Sequence, residues 1–100
     1  MSSDTVVLST LTLPNRVLLD VRSEAEFAAN GISGSLNVAH TAIEANIQKL
    51  PQDRSTPIIA YCGSGMRVRT ALAVLDKLGF TNVVNGTSVS RMRALIDGSK

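Results

Sequence analysis

The chain has no tryptophan, three aromatic residues in all, one histidine and one cysteine. Each scarcity removes a class of function. A single cysteine cannot form an internal disulfide, and Cys62 with His40 makes no zinc-binding spacing, so no metal site is expected. Ten Lys and Arg against eight Asp and Glu leave a net charge of +2. That excess is slight and the basic residues do not alternate with aromatics, so no nucleic-acid partner is expected. No apolar run approaches the ~20 residues of a membrane span, so no membrane partner is expected either. Met1-Ser-Ser-Asp-Thr5 lacks the basic and apolar regions of a secretory leader, which favours a reducing cytoplasm where a thiol stays free. The cysteine is then either core filler or reactive.

What the chain does contain is ordinary for a globular protein: 44% hydrophobic and 18% charged residues over 100 positions. That length makes one domain, residues 1–100, with a single core. Val6 to Leu8 reads as a short edge strand, with Ser9 to Asn15 as a connection that Pro14 keeps from being a long helix. Arg16 to Val21 is a continuous apolar strand of the kind buried in parallel sheets. Ser23-Glu-Ala-Glu26 fits a capping box, opening a helix that runs to about Asn30 and that Gly31 ends. Leu36 to Val38 is another short strand. Thr41-Ala-Ile-Glu44 fits a second capping box, with Ile43, Ile47 and Leu50 on one face of the helix before Pro51 stops it.

Val68, Ala71, Leu72, Leu75 and Leu78 carry the clearest helical spacing, with Gly79 suited to a left-handed C′ position and Phe80 to its hydrophobic contact. Val83-Val84 is a brief strand, and Val89, Met92, Leu95 and Ile96 mark a last amphipathic helix closed by Gly98. Strands alternating with helices imply a mostly parallel sheet of about five short strands with helices on both faces. In such sheets ligands bind beyond the carboxyl ends of the strands.

The stretch Pro57-Ile-Ile-Ala-Tyr-Cys-Gly-Ser-Gly-Met-Arg-Val-Arg69 concentrates the chemistry. A buried strand, Ile58 to Tyr61, runs into a turn made by Gly63 and Gly65, and a helix starts beyond it. The first N–H groups of that helix lack helical partners and, with the positive end of its dipole, favour an anion. A thiolate is such an anion. Cys62 is expected at the mouth of this ring of amides, open to solvent, with its pKa drawn from about 8.5 toward the roughly 3.5–7.5 known at helix N-termini. Arg67 opposes the helix dipole in the first turn, a placement against local electrostatics that suggests a task. Arg69 points to another side of the helix and is either a second contact or a surface cation.

Tyr-Cys-Gly-Ser-Gly-Met-Arg before an Ala/Leu-rich helix resembles the persulfide-forming loop of the rhodanese family in its single-domain form. Leu18-Leu-Asp-Val-Arg-Ser-Glu-Ala-Glu-Phe27, Gly31-Ile-Ser-Gly-Ser-Leu-Asn37 and Leu78-Gly-Phe-Thr-Asn-Val-Val84 extend the resemblance over most of residues 17–89 in the family's order. It implies a three-layer α/β/α rhodanese-like domain. It also implies a thiosulfate sulfurtransferase: Cys62 attacks the outer sulfur of thiosulfate or a related small sulfur-containing anion, sulfite leaves, and the resulting persulfide passes its sulfur to cyanide or a thiol, protein thiols included. No cofactor is implied. The backbone of Gly63, Ser64, Gly65, Met66 and Arg67 would hold the charged sulfur, and the Arg67 guanidinium would orient a dianionic donor. Asp20 and Arg22 would support the site, Asp20 by positioning loops at the sheet's carboxyl edge and Arg22 by pairing with an acid such as Glu26. His40 is expected at the surface.

Two departures from the family's pattern stand out. Asn30-Gly-Ile-Ser-Gly-Ser35 occupies the place of a common Gly-His-Ile-Pro-Gly-Ala, and Thr87-Ser88 that of a Gly-Gly, putting two side chains where the pocket floor is usually bare backbone. The Cys-Gly-Ser-Gly opening also resembles the mercaptopyruvate-using branch. Two rival functions remain: a persulfide carrier or partner-binding module without catalysis of its own, and a rhodanese-related phosphatase. The phosphatase loop needs five residues between cysteine and arginine. Here there are four, Gly63 to Met66, and Val68 would stand where the longer loop has its arginine.

Overall fold

Ile58–Cys62 (β3) is buried at all five positions, and the rest of the chain is arranged around it. Side chains alternate along a strand, so Ile58, Ala60 and Cys62 enter one apolar cluster while Ile59 and Tyr61 enter another. The two clusters lie on opposite faces of a four-stranded, fully parallel sheet in the order β2-β1-β3-β4. Its other strands are Val17–Asp20 (β1), Leu36–Asn37 (β2) and Val83–Ser88 (β4). This is the structure of a computed structural model, which describes residues 4–98. Residues 1–3, on which part of the leader expectation rests, lie outside the described residues.

Four helical elements besides a 3₁₀ segment surround the sheet among the described residues: Asp4–Leu11 (α1), Glu24–Asn30 (α2), Met66–Lys77 (α3) and Val89–Gly98 (α4). Val68, Ala71 and Leu75 of α3 pack on the face that holds Cys62, and Val7 of α1 with Val89 and Met92 of α4 pack on the other. The result is the α/β/α sandwich expected, with four strands in place of about five. No helix among the described residues is long and apolar enough to cross a membrane.

The missing strand is a correction. Val6 to Leu8 belong to α1, because Val7 and Thr10, one turn apart, are both buried, and Thr10 Oγ1 donates to the Val6 carbonyl at 2.8 Å. Packing against α4 and β4 overrides the strand preference of the β-branched pair. The second capping box is also absent: Ile43, not Thr41, precedes a 3₁₀ segment Glu44–Lys49, and no side chain caps it. Asn46 leaves helical geometry there and its Nδ2 donates to the Ala42 carbonyl at 2.9 Å, the local competition that keeps Asn from extending a helix. Ile43 and Leu50 are still buried, so the apolar face forms on a tighter turn.

Other boundaries follow the expected chemistry. Ser23 and Glu26 form the complete capping box of α2. Gly79 is left-handed at φ 93°, and Phe80 N–H reaches the Leu75 carbonyl at 3.0 Å while Gly79 N–H reaches that of Asp76, the paired bonds of a Schellman ending. Val83-Val84 opens a strand longer than expected. In β4 the register to β3 slips, Ala60 facing Asn85 and Tyr61 facing Thr87, so Gly86 is the extra residue of a bulge.

A side chain at Gly86 has no room. A Cβ there would stand 2.7 Å from Met92 Sδ, 2.9 Å from Ile59 Cγ2 and 3.2 Å from the Ala60 carbonyl oxygen. Gly86→Ala is expected to destabilise the fold by about 1–3 kcal/mol through overpacking, as read from the denaturant midpoint at unchanged m-value.

Candidate active site

Cys62 ends β3 and α3 begins at Met66, so three residues must reverse the chain. Gly65 makes the reversal possible with φ 93°, a conformation costly for any residue with a Cβ. The turn brings the Gly65 N–H to 3.0 Å from Cys62 Sγ. The thiol in turn donates to the Thr87 carbonyl of β4 at 3.6 Å. One amide of the turn, that of Gly65, is therefore paired with the sulfur at the carboxyl edge of the sheet. One expectation fails: the sulfur is not open to solvent, since Cys62 is 0% exposed and joins the cluster under α3. The alternation of β3 dictates this, because the side chain continues the buried Ile58-Ala60 face.

Gly63 and Ser64 are exposed in the turn, and Met66, 69% exposed, opens α3. Arg67 lies half-exposed over the turn, with Nη2 3.1 Å from the place a Cβ on Gly63 would take. Its guanidinium grips Glu26 of α2 in a two-point pair, Nη1 to Oε1 at 2.6 Å and Nη2 to Oε2 at 2.9 Å. That pair answers the cation's conflict with the helix dipole. It also corrects the partner assigned to Arg22, which does not bind Glu26.

Arg22 pairs with Asp20 instead. Its Nη2 donates to Oδ2 at 2.8 Å and Nε to Oδ1 at 3.0 Å, its own backbone N–H donates to Oδ1 at 2.9 Å, and Nη1 reaches Asn30 Oδ1 at 2.7 Å. Asp20 is 0% exposed and Arg22 4%. Asn37 Nδ2 ties down the same bend by donating to the carbonyls of Asp20 and Arg22. The Arg22 side chain passes close under Gly63, with Cδ 4.0 Å from its Cβ position. Asp20 and Arg22 thus sit buried beside the loop, Arg22 next to Gly63. His40 is half-buried, and its backbone N–H bonds to Val21.

Beside the loop, between α3 and β4, opens a cleft of about 700 Å³ lined by Ser64, Gly65, Met66, Arg69, Asn85 and Thr87 among others. Arg69 is exposed on its wall, which resolves it as a rim cation next to the site. Thr87, marked in the sequence as standing where a glycine is common, completes the far side with Asn85 and Arg91, which were not singled out. Thr87 is left-handed at φ 70°, a cost of roughly 1–3 kcal/mol for a β-branched residue. Asn85 Oδ1 accepts its N–H at 2.8 Å and Arg91 Nη1 donates to its Oγ1 at 2.9 Å. Arg91 also reaches Asp4 of α1 at 2.8 Å. The signal was present as Thr87-Ser88 in place of two glycines; its bracing partners were not legible.

Comparison with known proteins agrees with this fold. The family model described as "Rhodanese-like domain" matches residues 5–86. The chain is 34% identical over 68 residues to the protein YibN of Escherichia coli, covering 67% of this chain and 48% of that one. It is 33% identical over 69 residues to a sulfurtransferase of Allochromatium vinosum, covering 69% and 63%. A probable adenylyltransferase/sulfurtransferase, MoeZ of Mycobacterium tuberculosis, is 36% identical over 70 residues, but the match spans only 17% of its length. The chain thus spans less than two thirds of these curated relatives. Among solved structures, the human single-domain sulfurtransferase TSTD1 superposes with a TM-score of 0.67 at 27% identity, covering 79% of this chain and 80% of that one.

Two tests follow from the charge arrangement. Asp20→Ala leaves a buried guanidinium without its carboxylate and is expected to cost about 3–5 kcal/mol of stability in chemical denaturation. The hydrogen bond from Arg67, with those from Ser23, holds the Glu26 carboxyl down to about 2, against an ordinary value of 4.5. A carboxyl with a lowered folded-state pKa contributes above its unfolded value and loses that contribution as pH falls. Stability should therefore fall between about pH 4.5 and pH 2 in the native protein, and this part of the profile should flatten in Glu26→Gln when the denaturant midpoint is followed against pH.

Proposed function

The chain belongs to the rhodanese family, and on that premise we propose that it is a sulfurtransferase that carries sulfane sulfur as a persulfide on Cys62. The observation that carries this reading is the Gly65 N–H directed at Cys62 Sγ from the turn between β3 and α3. Such a donor strengthens as its acceptor gains negative charge, so the turn suits an anionic sulfur better than a neutral one. A thiol serving as core filler would need no amide aimed at it.

The donor is thiosulfate or a related small anion. Cys62 loses its proton to water and the thiolate attacks the outer sulfur of the donor. The sulfur–sulfur bond of thiosulfate breaks, sulfite leaves with the electron pair, and a Cys62 persulfide remains. A thiolate or cyanide then attacks the terminal sulfur, taking it and returning the Cys62 thiolate. With one cysteine in the sequence the persulfide has no internal thiol to meet, so its acceptor comes from outside the chain. The loop backbone from Gly63 to Arg67 holds the terminal sulfur.

Arg67 orients the donor. Its carboxylate partner Glu26 is half-exposed, so an incoming dianion can share or replace that contact at modest cost, whereas the buried Asp20–Arg22 pair is fixed. Asp20 and Arg22 act as positioning residues that keep Gly63 in place.

Incubation with thiosulfate is expected to add one sulfur atom to the intact mass, and Cys62→Ser to abolish the addition. Arg67→Ala should slow loading from thiosulfate by more than loading from a neutral persulfide donor. Equal losses with both donors would reject the role given to Arg67, and the absence of any mass gain in the native protein would reject the reading as a whole.

A further inference from the structure

The Cys62 sulfur has no exposed surface, yet the proposed reaction brings two successive molecules to it. Gly65 and Thr87 both touch the sulfur, the first through its N–H and the second through its carbonyl. Both also line the cleft beside the loop. They meet each other: a Cβ on Gly65 would stand 2.9 Å from Thr87 Cγ2. The seam between these two residues therefore separates the cleft from the nucleophile, and the Thr87 methyl is the part of it that a smaller residue would remove.

Thr87 is held in that place against its own preference. Among the described residues it alone of the non-glycine residues has a positive φ. Glycine would adopt that backbone freely and leave the seam without a side chain. Instead a bulge at Gly86 brings Thr87 opposite Tyr61, the Asn85 side chain accepts its N–H, and Arg91 donates both to its hydroxyl and to the Asn85 carbonyl, at 2.9 and 3.2 Å. A residue with a strained backbone, held by Asn85 and Arg91 and touching the nucleophile through its carbonyl, points to selection at that position.

We propose that Thr87 is the specificity-determining residue of this site: its methyl group, set beside Gly65, narrows the passage from the cleft to Cys62 so that slim sulfur donors and acceptors pass and bulky ones do not. The part concerning donors and acceptors rests on the sulfurtransferase reading; the restriction of access does not.

The test compares the native protein with Thr87→Ser and Thr87→Gly. Serine keeps the hydroxyl that Arg91 binds and deletes the methyl, so it isolates the steric term without dismantling the network. Because the chain has one cysteine, alkylation by iodoacetamide and by the bulkier N-ethylmaleimide, followed by intact mass, reports Cys62 alone. The maleimide-to-iodoacetamide rate ratio is expected to rise about tenfold or more in Thr87→Ser, as deletion of a methyl-sized obstacle allows, and further in Thr87→Gly. A ratio that stays at the native value in both variants, with circular dichroism showing the native fold, would overturn the proposal. Loading from thiosulfate and from the bulkier benzenethiosulfonate is measured alongside. A shifted alkylation ratio without sulfur loading from either donor would uphold the gate and sink the transferase reading; sulfur loading with an unchanged alkylation ratio would do the reverse.

Discussion

The direction in which the Cys62 side chain leaves β3 constrains everything else at the site. Ile58, Ala60 and Cys62 share a face because strand side chains alternate, and that face is the one α3 covers. A slip of one residue would send the sulfur into the cluster with Tyr61 and Met92, out of reach of the turn. The strand register, held by parallel pairing to β1 on one side and β4 on the other, is thus what allows Gly65 to meet the sulfur. Burial of the thiol and its contact with an amide are two results of the same geometry.

Two cation–carboxylate pairs flank this arrangement, and their burial gives them different parts. Asp20 and Arg22 are both inside the protein and held by several hydrogen bonds, so their geometry is fixed. Glu26 and Arg67 lie partly in solvent, where water screens the attraction. The first pair is fixed by burial, and the second leaves Arg67 partly open to solvent. The short spacing of Glu26 from the capping residue Ser23 gives one carboxylate two tasks, closing the start of α2 and holding Arg67.

Much of this was legible in the sequence wherever a local rule decides the outcome. The capping box at Ser23, the Schellman ending at Gly79, the buried run of β3 and the glycine turn after Cys62 each depend on a few neighbouring residues. The failures share a cause as well. Val6 to Leu8 became helical because α4 and β4 offered a surface for Val7, a contact spanning most of the chain. Thr41 caps nothing, because the segment starts two residues later as a short 3₁₀ turn that Asn46 interrupts. Arg22 and Arg67 each had acids nearby in sequence or space, and periodicity cannot say which guanidinium takes which carboxylate. Cys62 was expected in solvent because a reactive group was equated with an exposed one, whereas strand parity had already placed it inside.

The contact between Asp4 and Arg91 joins the first helix to the last, across 87 positions of sequence. Both helices lie on the same side of the sheet, opposite the cluster that holds the cysteine. That layer is therefore completed by two elements far apart in sequence, a closure whose chain entropy must be met before its contacts can form.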